Sequence, residues 1–189
     1  MIIICDVDNI LNNLMEKTLK LYNARMDKNI QMSDIVAYSF AECLSIEDAD
    51  AITELFKEKE LWDSLTPLPA SQKGLRRLVN QGHRVYLATA THPINFPWKV
   101  EWITKYFPYI PMENIMRVTD KSLLKADILI DDCLDHLTAN ICERVCLDYP
   151  WNRSESKDYA YDIKRAHTWN DIVNIINDIE RKDKAWDKE

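Results

Sequence analysis

The sequence predicts an α/β fold, in which a parallel sheet forms the core and a small helical insert follows the first strand. Short apolar runs that each stop at a polar residue alternate with helical patterns, as in a parallel sheet with right-handed crossovers. Residues 12–67 show helical patterns and no convincing strand, which is too long for a simple crossover. The 189-residue length suits one domain with a modest insert.

Four apolar runs are the predicted strands. A continuously apolar run is typical of a strand buried on both faces of a parallel sheet. Such runs occupy residues 2–5, 84–88, 126–130 and, more weakly, 144–147. They are followed by Asp6, Thr89, Asp131 and Asp148. Because ligands bind outside the carboxyl ends of such strands, these polar residues are candidates for a functional site.

Five segments show apolar residues at helical spacing: residues 11–22, 49–56, 75–79, 96–107 and 169–179. Gly82 is expected to end the third helix. Thr168 and Asp171 resemble a capping box at the start of the last. Pro67 and Pro69 mark the return from the insert. The predicted division is a core of residues 1–12 and 66–189 and an insert of residues 13–65.

Composition excludes several classes of function. The net charge of −7 argues against binding a nucleic acid polymer. Two glycines cannot build a glycine-rich phosphate loop, and no stretch approaches the roughly 20 apolar residues that cross a membrane. The acidic N-terminus lacks signal-peptide features, and the five cysteines show no CxxC spacing. These features predict a cytoplasmic protein with reduced thiols.

Paired acidic residues follow two of the predicted strands. Asp6 and Asp8 are two apart and face the same side of an extended segment, while Asp131 and Asp132 follow the 126–130 run. If the two strands are neighbours, Asp6, Asp8 and Asp131 converge and form a credible Mg²⁺ site. The alternatives are a solvated acidic turn and an acid pair at a helix N-terminus.

A hydroxyl and a lysine lie between these acidic pairs. Thr89 follows a predicted strand and can donate to a phosphate oxygen, although Thr91 and His92 compete for this role and a helix N-cap is the alternative. Lys99 can hold a phosphate as a point charge. Its rivals are Lys121 and Lys125, and a surface lysine is the simpler interpretation of each alone.

The order of these motifs resembles the haloacid dehalogenase-like hydrolase superfamily. Residues 6–11 are similar to the first motif of that superfamily. The segments that are similar to its 5′(3′)-deoxyribonucleotidase family are residues 61–69, 87–89, 99–102, 128–132, 149–153 and 169–172. The insert from residue 14 to 59 matches only in length and helical character. Asn9 stands where the family usually has glycine, and Ala90 where relatives often carry a second hydroxyl.

The resemblance implies a Rossmann-like core with a small helical cap and a Mg²⁺-dependent phosphatase activity. It implies that Asp6 attacks phosphorus and that Asp8 is the general acid and base. Mg²⁺ is held by the Asp6 carboxylate, the Asp8 carbonyl and Asp131, and Thr89 and Lys99 bind the phosphate. Asp132 orients a metal-bound water or Lys99.

The expected substrate is a small phosphate ester, a nucleoside monophosphate with deoxy forms favoured. Trp62, Tyr38 and Phe40 are candidates to stack on the base, and ordinary packing within the cap is the equal alternative. Other open interpretations are a phosphatase for another metabolite, such as a sugar phosphate, and a catalytically silent relative that binds a nucleotide or a protein. A monomer and a homodimer both remain open.

Overall fold

The computed structural model describes residues 1–186, and the side chains of residues 1–182. Its centre is a six-stranded sheet of order β3-β2-β1-β4-β5-β6, in which every pairing is parallel. The strands are β1 Ile2–Cys5, β2 Arg84–Thr89, β3 Ile115–Arg117, β4 Ile128–Asp131, β5 Glu143–Leu147 and β6 Ile163–Ala166. The predicted α/β class and parallel sheet are confirmed.

Helices fill the intervals between the strands. They are α1 Leu14–Met26, α2 Ile46–Leu55, α3 Lys59–Ser64, α4 Ser71–Asn80, α5 Phe96–Tyr106, α6 Leu134–Thr138, α7 Glu155–Tyr161 and α8 Trp169–Trp186. The predicted helix signals are confirmed at both places. Gly82 follows α4 with φ 87°, and the Asp171 amide and carboxylate exchange hydrogen bonds with Thr168 at 3.2 and 2.9 Å.

Two strands escaped the sequence analysis, and both lie at the edges of the sheet. β3 has only three residues, none of them fully buried. β6 reads Ile-Lys-Arg-Ala and buries only its two ends. An edge strand is covered on one side only, so it needs no continuous apolar run, and the signal used for the central strands is absent.

The register of the central strands sets the position of the site. Cys5 of β1 pairs with Leu87 of β2 and with Ile130 of β4. The Asp6 amide then donates to the Ile130 carbonyl at 2.9 Å. Residues 6, 89 and 131 therefore lie together at the carboxyl ends of three adjacent strands.

The insert after β1 carries α1, α2 and α3, and no residue from 13 to 65 lies in a strand. Its two connections to the sheet run side by side. The Asn13 amide donates to the Thr66 carbonyl at 3.2 Å, and the Thr66 amide donates to Asn13 Oδ1 at 2.9 Å. This paired crossing holds the helices over the carboxyl end of β1.

The first loop and the last helix are locked together by Trp169. Its side chain is buried, and its indole Nε1 donates to the Ile10 carbonyl at 2.7 Å. Its ring lies so close to Gly74 of α4 that a Cβ there would be 2.6 Å from the nearest ring carbon. The last helix thereby packs against the loop that carries Asp6 and Asp8 and stabilises it.

All five cysteines are free thiols. Over the described part of the chain, none of the helices combines the length and the apolar character that a membrane crossing requires.

Candidate active site

The most buried part of the site is a group of three carboxylates, those of Asp6, Asp131 and Asp132. One oxygen of each lies within 4.8 Å of the others. Lys121, which is 1% exposed, donates to Asp6 and, at 2.7 Å, to Asp131. His136 Nδ1 lies 3.1 Å from the same Asp131 oxygen. Two basic side chains thus face three acidic ones.

Burial is the largest cause of the raised pKa values in this carboxylate group, and the neighbouring carboxylates add to it. Burial, together with the charges of Asp131 and Asp8, raises the pKa of Asp6 to about 6 despite Lys121. Burial and the charges of Asp131 and Asp6 also raise the pKa of Asp132. Asp131 differs: although burial opposes it, Lys121 and His136 hold its pKa below the usual value.

Asp8 contacts a second buried lysine, Lys99, rather than Lys121. Lys99 Nζ donates to Asp8 Oδ2 at 2.5 Å and to Thr89 Oγ1 at 2.7 Å. Asn12 Nδ2 donates to the other Asp8 oxygen at 3.0 Å. The predicted group of Asp8, Thr89 and Lys99 is therefore brought together. Lys121, the predicted rival of Lys99, belongs to the same site, whereas Lys125 is exposed.

Asp132 is held by side chains from two segments of the chain, the loop after β1 and the turn at residues 150–152. One of its carboxylate oxygens accepts from Asn9 Nδ2 at 3.2 Å and from Trp151 Nε1 at 3.1 Å. Its carbonyl accepts from Asn152 at 2.9 Å. The Tyr149 ring stacks on Trp151 at 4.3 Å, and its hydroxyl donates to the Asn9 carbonyl at 2.7 Å.

A cavity of about 550 Å³ lies between the carboxyl end of the sheet and the insert. The sheet side contributes Asp6, Asp8, Thr89 and Asp132, and the insert contributes Tyr38, Phe40, Phe56 and Trp62. The three predicted aromatic candidates therefore line the same cavity as the carboxylates.

These aromatic residues differ in how they are held. Trp62 is 3% exposed, its Nε1 donates to the Phe56 carbonyl at 2.9 Å, and Lys99 Nζ lies 5.0 Å from its ring centre. Phe40 stacks on Phe56 at 6.1 Å. Tyr38 is 60% exposed. Burial and the charge of Asp132 raise the pKa of its hydroxyl.

The loop after β2 lines the cavity with Ala90, Thr91, His92 and Asn95. Thr91 and His92, the rivals of Thr89, therefore share its cavity. Asn95 was missed by the sequence analysis. It is buried, and its side-chain oxygen has no hydrogen-bond partner among the described residues.

The residues at the carboxylate group fit a divalent cation. Carboxylate oxygens are the ligands that Mg²⁺ prefers, and the raised pKa of Asp6 marks negative charge that a cation would offset. Asp6 and Asp131 belong to this group. The side chain of Asp8 turns to Lys99 and Asn12 instead, which leaves only its backbone carbonyl as a ligand.

The fold is that of haloacid dehalogenase-like hydrolases. A protein of this kind from Streptococcus pneumoniae superposes with a TM-score of 0.62 at 11% identity, over 92% of this chain and 97% of the other. A family hydrolase from Deinococcus radiodurans gives 0.61 at 10% identity, over 90% and 92%. At such identities the likeness shows the fold alone.

The family follows from sequence. Residues 1–183 match the model of the family described as 5′ nucleotidase, deoxy (pyrimidine), cytosolic type C, and the chain belongs to this family. A 5′(3′)-deoxyribonucleotidase of Bacillus subtilis is 27% identical over 172 residues, 90% of this chain and 95% of the relative. One from Clostridium acetobutylicum is 29% identical over 164 residues, 87% and 88%. The resemblance given by the motifs is confirmed, as is the class of enzyme, a haloacid dehalogenase-type phosphatase.

Proposed function

We propose that the protein is a Mg²⁺-dependent phosphomonoesterase that hydrolyses nucleoside monophosphates, with deoxy forms favoured. The observation that carries the proposal is one cavity that holds Asp6, Asp8 and Thr89 on one wall and a set of aromatic side chains on the other. The family and its 5′(3′)-deoxyribonucleotidase members support the substrate class.

In the first step, an Asp6 carboxylate oxygen attacks phosphorus and the bond from phosphorus to the leaving oxygen breaks. Asp8 gives its proton to that oxygen. In the second step, Asp8 takes a proton from water, whose oxygen attacks phosphorus and releases phosphate and the Asp6 carboxylate. Lys121 orients Asp6 through their ion pair.

Lys99 and Thr89 are proposed to bind the phosphate oxygens. They are already joined at 2.7 Å and buried, so little reorganisation is needed when charge develops on the transferring group. Mg²⁺ would be held by the Asp6 carboxylate, the Asp8 carbonyl and Asp131, and when bound it neutralises charge between nucleophile and phosphate. Asp132 supports this site from behind, fixed by Trp151 and Asn9.

Residues 13–65 are proposed to act as the cap, and residues 1–12 and 66–189 as the core. The cap then encloses the leaving group, and a cavity of about 550 Å³ suits a compact ester. Tyr38 and Phe40 are its proposed contacts for the base, whereas the buried Trp62, whose ring centre lies 5.0 Å from Lys99 Nζ, is proposed to support the phosphate site. A flat aromatic surface of this kind stabilises a stacked base by roughly 1–3 kcal/mol.

The test is a panel of phosphorylated metabolites assayed with and without Mg²⁺. The comparison of dUMP with deoxyribose 5-phosphate isolates the base, because the two share the sugar and the phosphate. We expect dUMP and dTMP to be preferred, chelation to abolish turnover, and Mg²⁺ but not Ca²⁺ to restore it. A preference for sugar phosphates would reject the substrate class, and full activity in excess chelator would reject the metal.

A further inference from the structure

Asn9 occupies a backbone conformation that glycine adopts most readily. Its φ is 55°, in the left-handed region where a Cβ is unfavourable and asparagine is the best-tolerated alternative. A glycine would satisfy this requirement without a side chain. The Asn9 side chain must therefore be explained by what it contacts.

The amide of Asn9 bonds in two directions. On one side, Nδ2 donates to Asp132 Oδ2 at 3.2 Å. On the other side, Oδ1 accepts from the backbone amide of Met15 at 2.9 Å. The residue is buried, and its backbone is fixed as well, since its N–H donates to Asn12 at 3.2 Å and its carbonyl accepts from Tyr149 at 2.7 Å.

The Met15 contact provides a side-chain hydrogen-bond acceptor for the first turn of helix α1. The first N–H groups of a helix have no partner within it, and the N-cap residue Asn13 makes no side-chain hydrogen bond to them. Instead, Asn12 Oδ1 accepts from Leu14 at 3.1 Å and Asn9 Oδ1 accepts from Met15. The helix that opens the insert is thus capped by the loop that carries the site carboxylates.

We infer that Asn9 is a positioning residue that couples divalent-cation binding at the carboxylate group to the order of the first turn of α1. The inference rests on the proposed Mg²⁺ site. One oxygen of Asp132 lies within 4.8 Å of oxygens of Asp6 and Asp131, so a cation held by those two residues would also restrain Asp132. The Asn9 amide is then restrained through its hydrogen bond to Asp132, and its oxygen is held toward Met15. By linkage, an ordered first turn favours the cation to the same extent as the cation favours order.

The experiment compares the full-length parent with Asn9→Gly, without substrate. Mg²⁺ affinity is measured by titration calorimetry, and protection of the Met15 amide by hydrogen exchange with and without MgCl₂. Loss of a hydrogen-bond partner of a metal ligand typically weakens binding about 10- to 100-fold. Because Asp132 lies beside the proposed ligands and is not one of them, we expect a loss of about 10-fold, the lower end of this range. Mg²⁺ should raise Met15 protection in the parent and leave it unchanged in Asn9→Gly.

Two further variants separate the parts of the inference. Asp27→Gly is the matched backbone control, because Asp27 has φ 50° at the other end of α1 and is exposed; it should change neither measurement. Trp151→Phe removes the other hydrogen-bond donor to the Asp132 carboxylate and leaves the contact between Asn9 and Met15 in place. It should weaken Mg²⁺ binding while leaving Met15 protection in the absence of Mg²⁺ as in the parent.

The outcomes are distinct from those that test the proposed function. If the parent binds Mg²⁺ and Asn9→Gly binds it equally well, the coupling is rejected while the metal site stands. Equal Mg²⁺-induced protection of Met15 in the two proteins rejects it too. A parent that binds no Mg²⁺ rejects the metal site and the coupling together.

Discussion

The two walls of the cavity are built in opposite ways. On the core wall, Asp6 and Asp8 line the cavity, and each forms an ion pair with a buried lysine, Lys121 and Lys99 respectively. On the insert wall, Tyr38 is largely exposed, and Phe40 is half-buried with its ring stacked on Phe56. The polar atoms of the core wall are fixed before any ligand arrives.

Under the proposed function, this difference gives the two walls different tasks. Stabilising a transition state requires charges that do not reorganise during the reaction, and the core wall supplies them. Enclosing a leaving group requires an apolar surface that can adapt, and the insert wall supplies that. Substitutions on the core wall should therefore reduce turnover of every phosphate ester, whereas those on the insert wall should change the choice among esters.

The largest effect is expected for Asp6→Asn. An amide cannot attack phosphorus, so turnover of dUMP and of deoxyribose 5-phosphate should both fall by about 10⁴-fold or more, the scale seen when a nucleophile is removed. The measurement is kcat/KM for both esters, with circular dichroism to show that the fold is retained. A folded variant with substantial activity on either ester would contradict the covalent mechanism.

The sequence predicted the core wall more fully than the insert wall. Asp6, Thr89 and Asp131 each follow a central strand, and a buried parallel strand has an apolar run whose end can be read directly. Asp8, two residues beyond Asp6, was found from the same strand end. Its partner Lys99 lies on a helix, where spacing alone did not separate it from Lys121.

The contacts that support the site could not be predicted in this way. Asn9 bonds to Asp132 across 123 residues, and Trp151 reaches the same carboxylate from the loop after β5. The buried side-chain oxygen of Asn95, which has no hydrogen-bond partner among the described residues, is likewise visible only in the folded structure. Such contacts depend on tertiary geometry, and neither apolar periodicity nor motif spacing carries information about them.

A smaller and selective effect is expected for Tyr38→Ala. Loss of a stacking surface worth roughly 1–3 kcal/mol corresponds to about a 5- to 150-fold drop in kcat/KM for dUMP. Deoxyribose 5-phosphate has no base, so its turnover should change little. Tyr38→Phe is the matched control, because it keeps the ring and removes only the hydroxyl.

Trp62→Ala provides the contrast within the insert wall. Its ring is buried, its Nε1 donates a hydrogen bond to the Phe56 carbonyl, and Lys99 Nζ lies over the ring. Its removal should therefore disturb the phosphate site and lower turnover of both esters. Equal losses on both esters in Tyr38→Ala, or a loss confined to dUMP in Trp62→Ala, would reverse the roles assigned to these two residues.

The smallest effect is expected for Gly74→Ala, a core substitution away from the cavity. Alanine at an exposed helical site would stabilise the protein by up to about 1 kcal/mol relative to glycine. Here its Cβ would lie 2.6 Å from the Trp169 ring, and overpacking of this kind costs roughly 1–3 kcal/mol. The sign of the change in Tm therefore reports the close packing of α4 against α8.

We expect Tm to fall by roughly 2–12 °C, with the ratio of kcat/KM for dUMP to that for deoxyribose 5-phosphate unchanged at low temperature. Lys73→Ala on the exposed face of the same helix is the control and should leave Tm nearly constant. Because Trp169 also donates to the Ile10 carbonyl, a displaced ring would shift the loop that carries Asp6 and Asp8. A changed ratio of the two esters would then show that substrate choice depends on the core as well as on the insert wall.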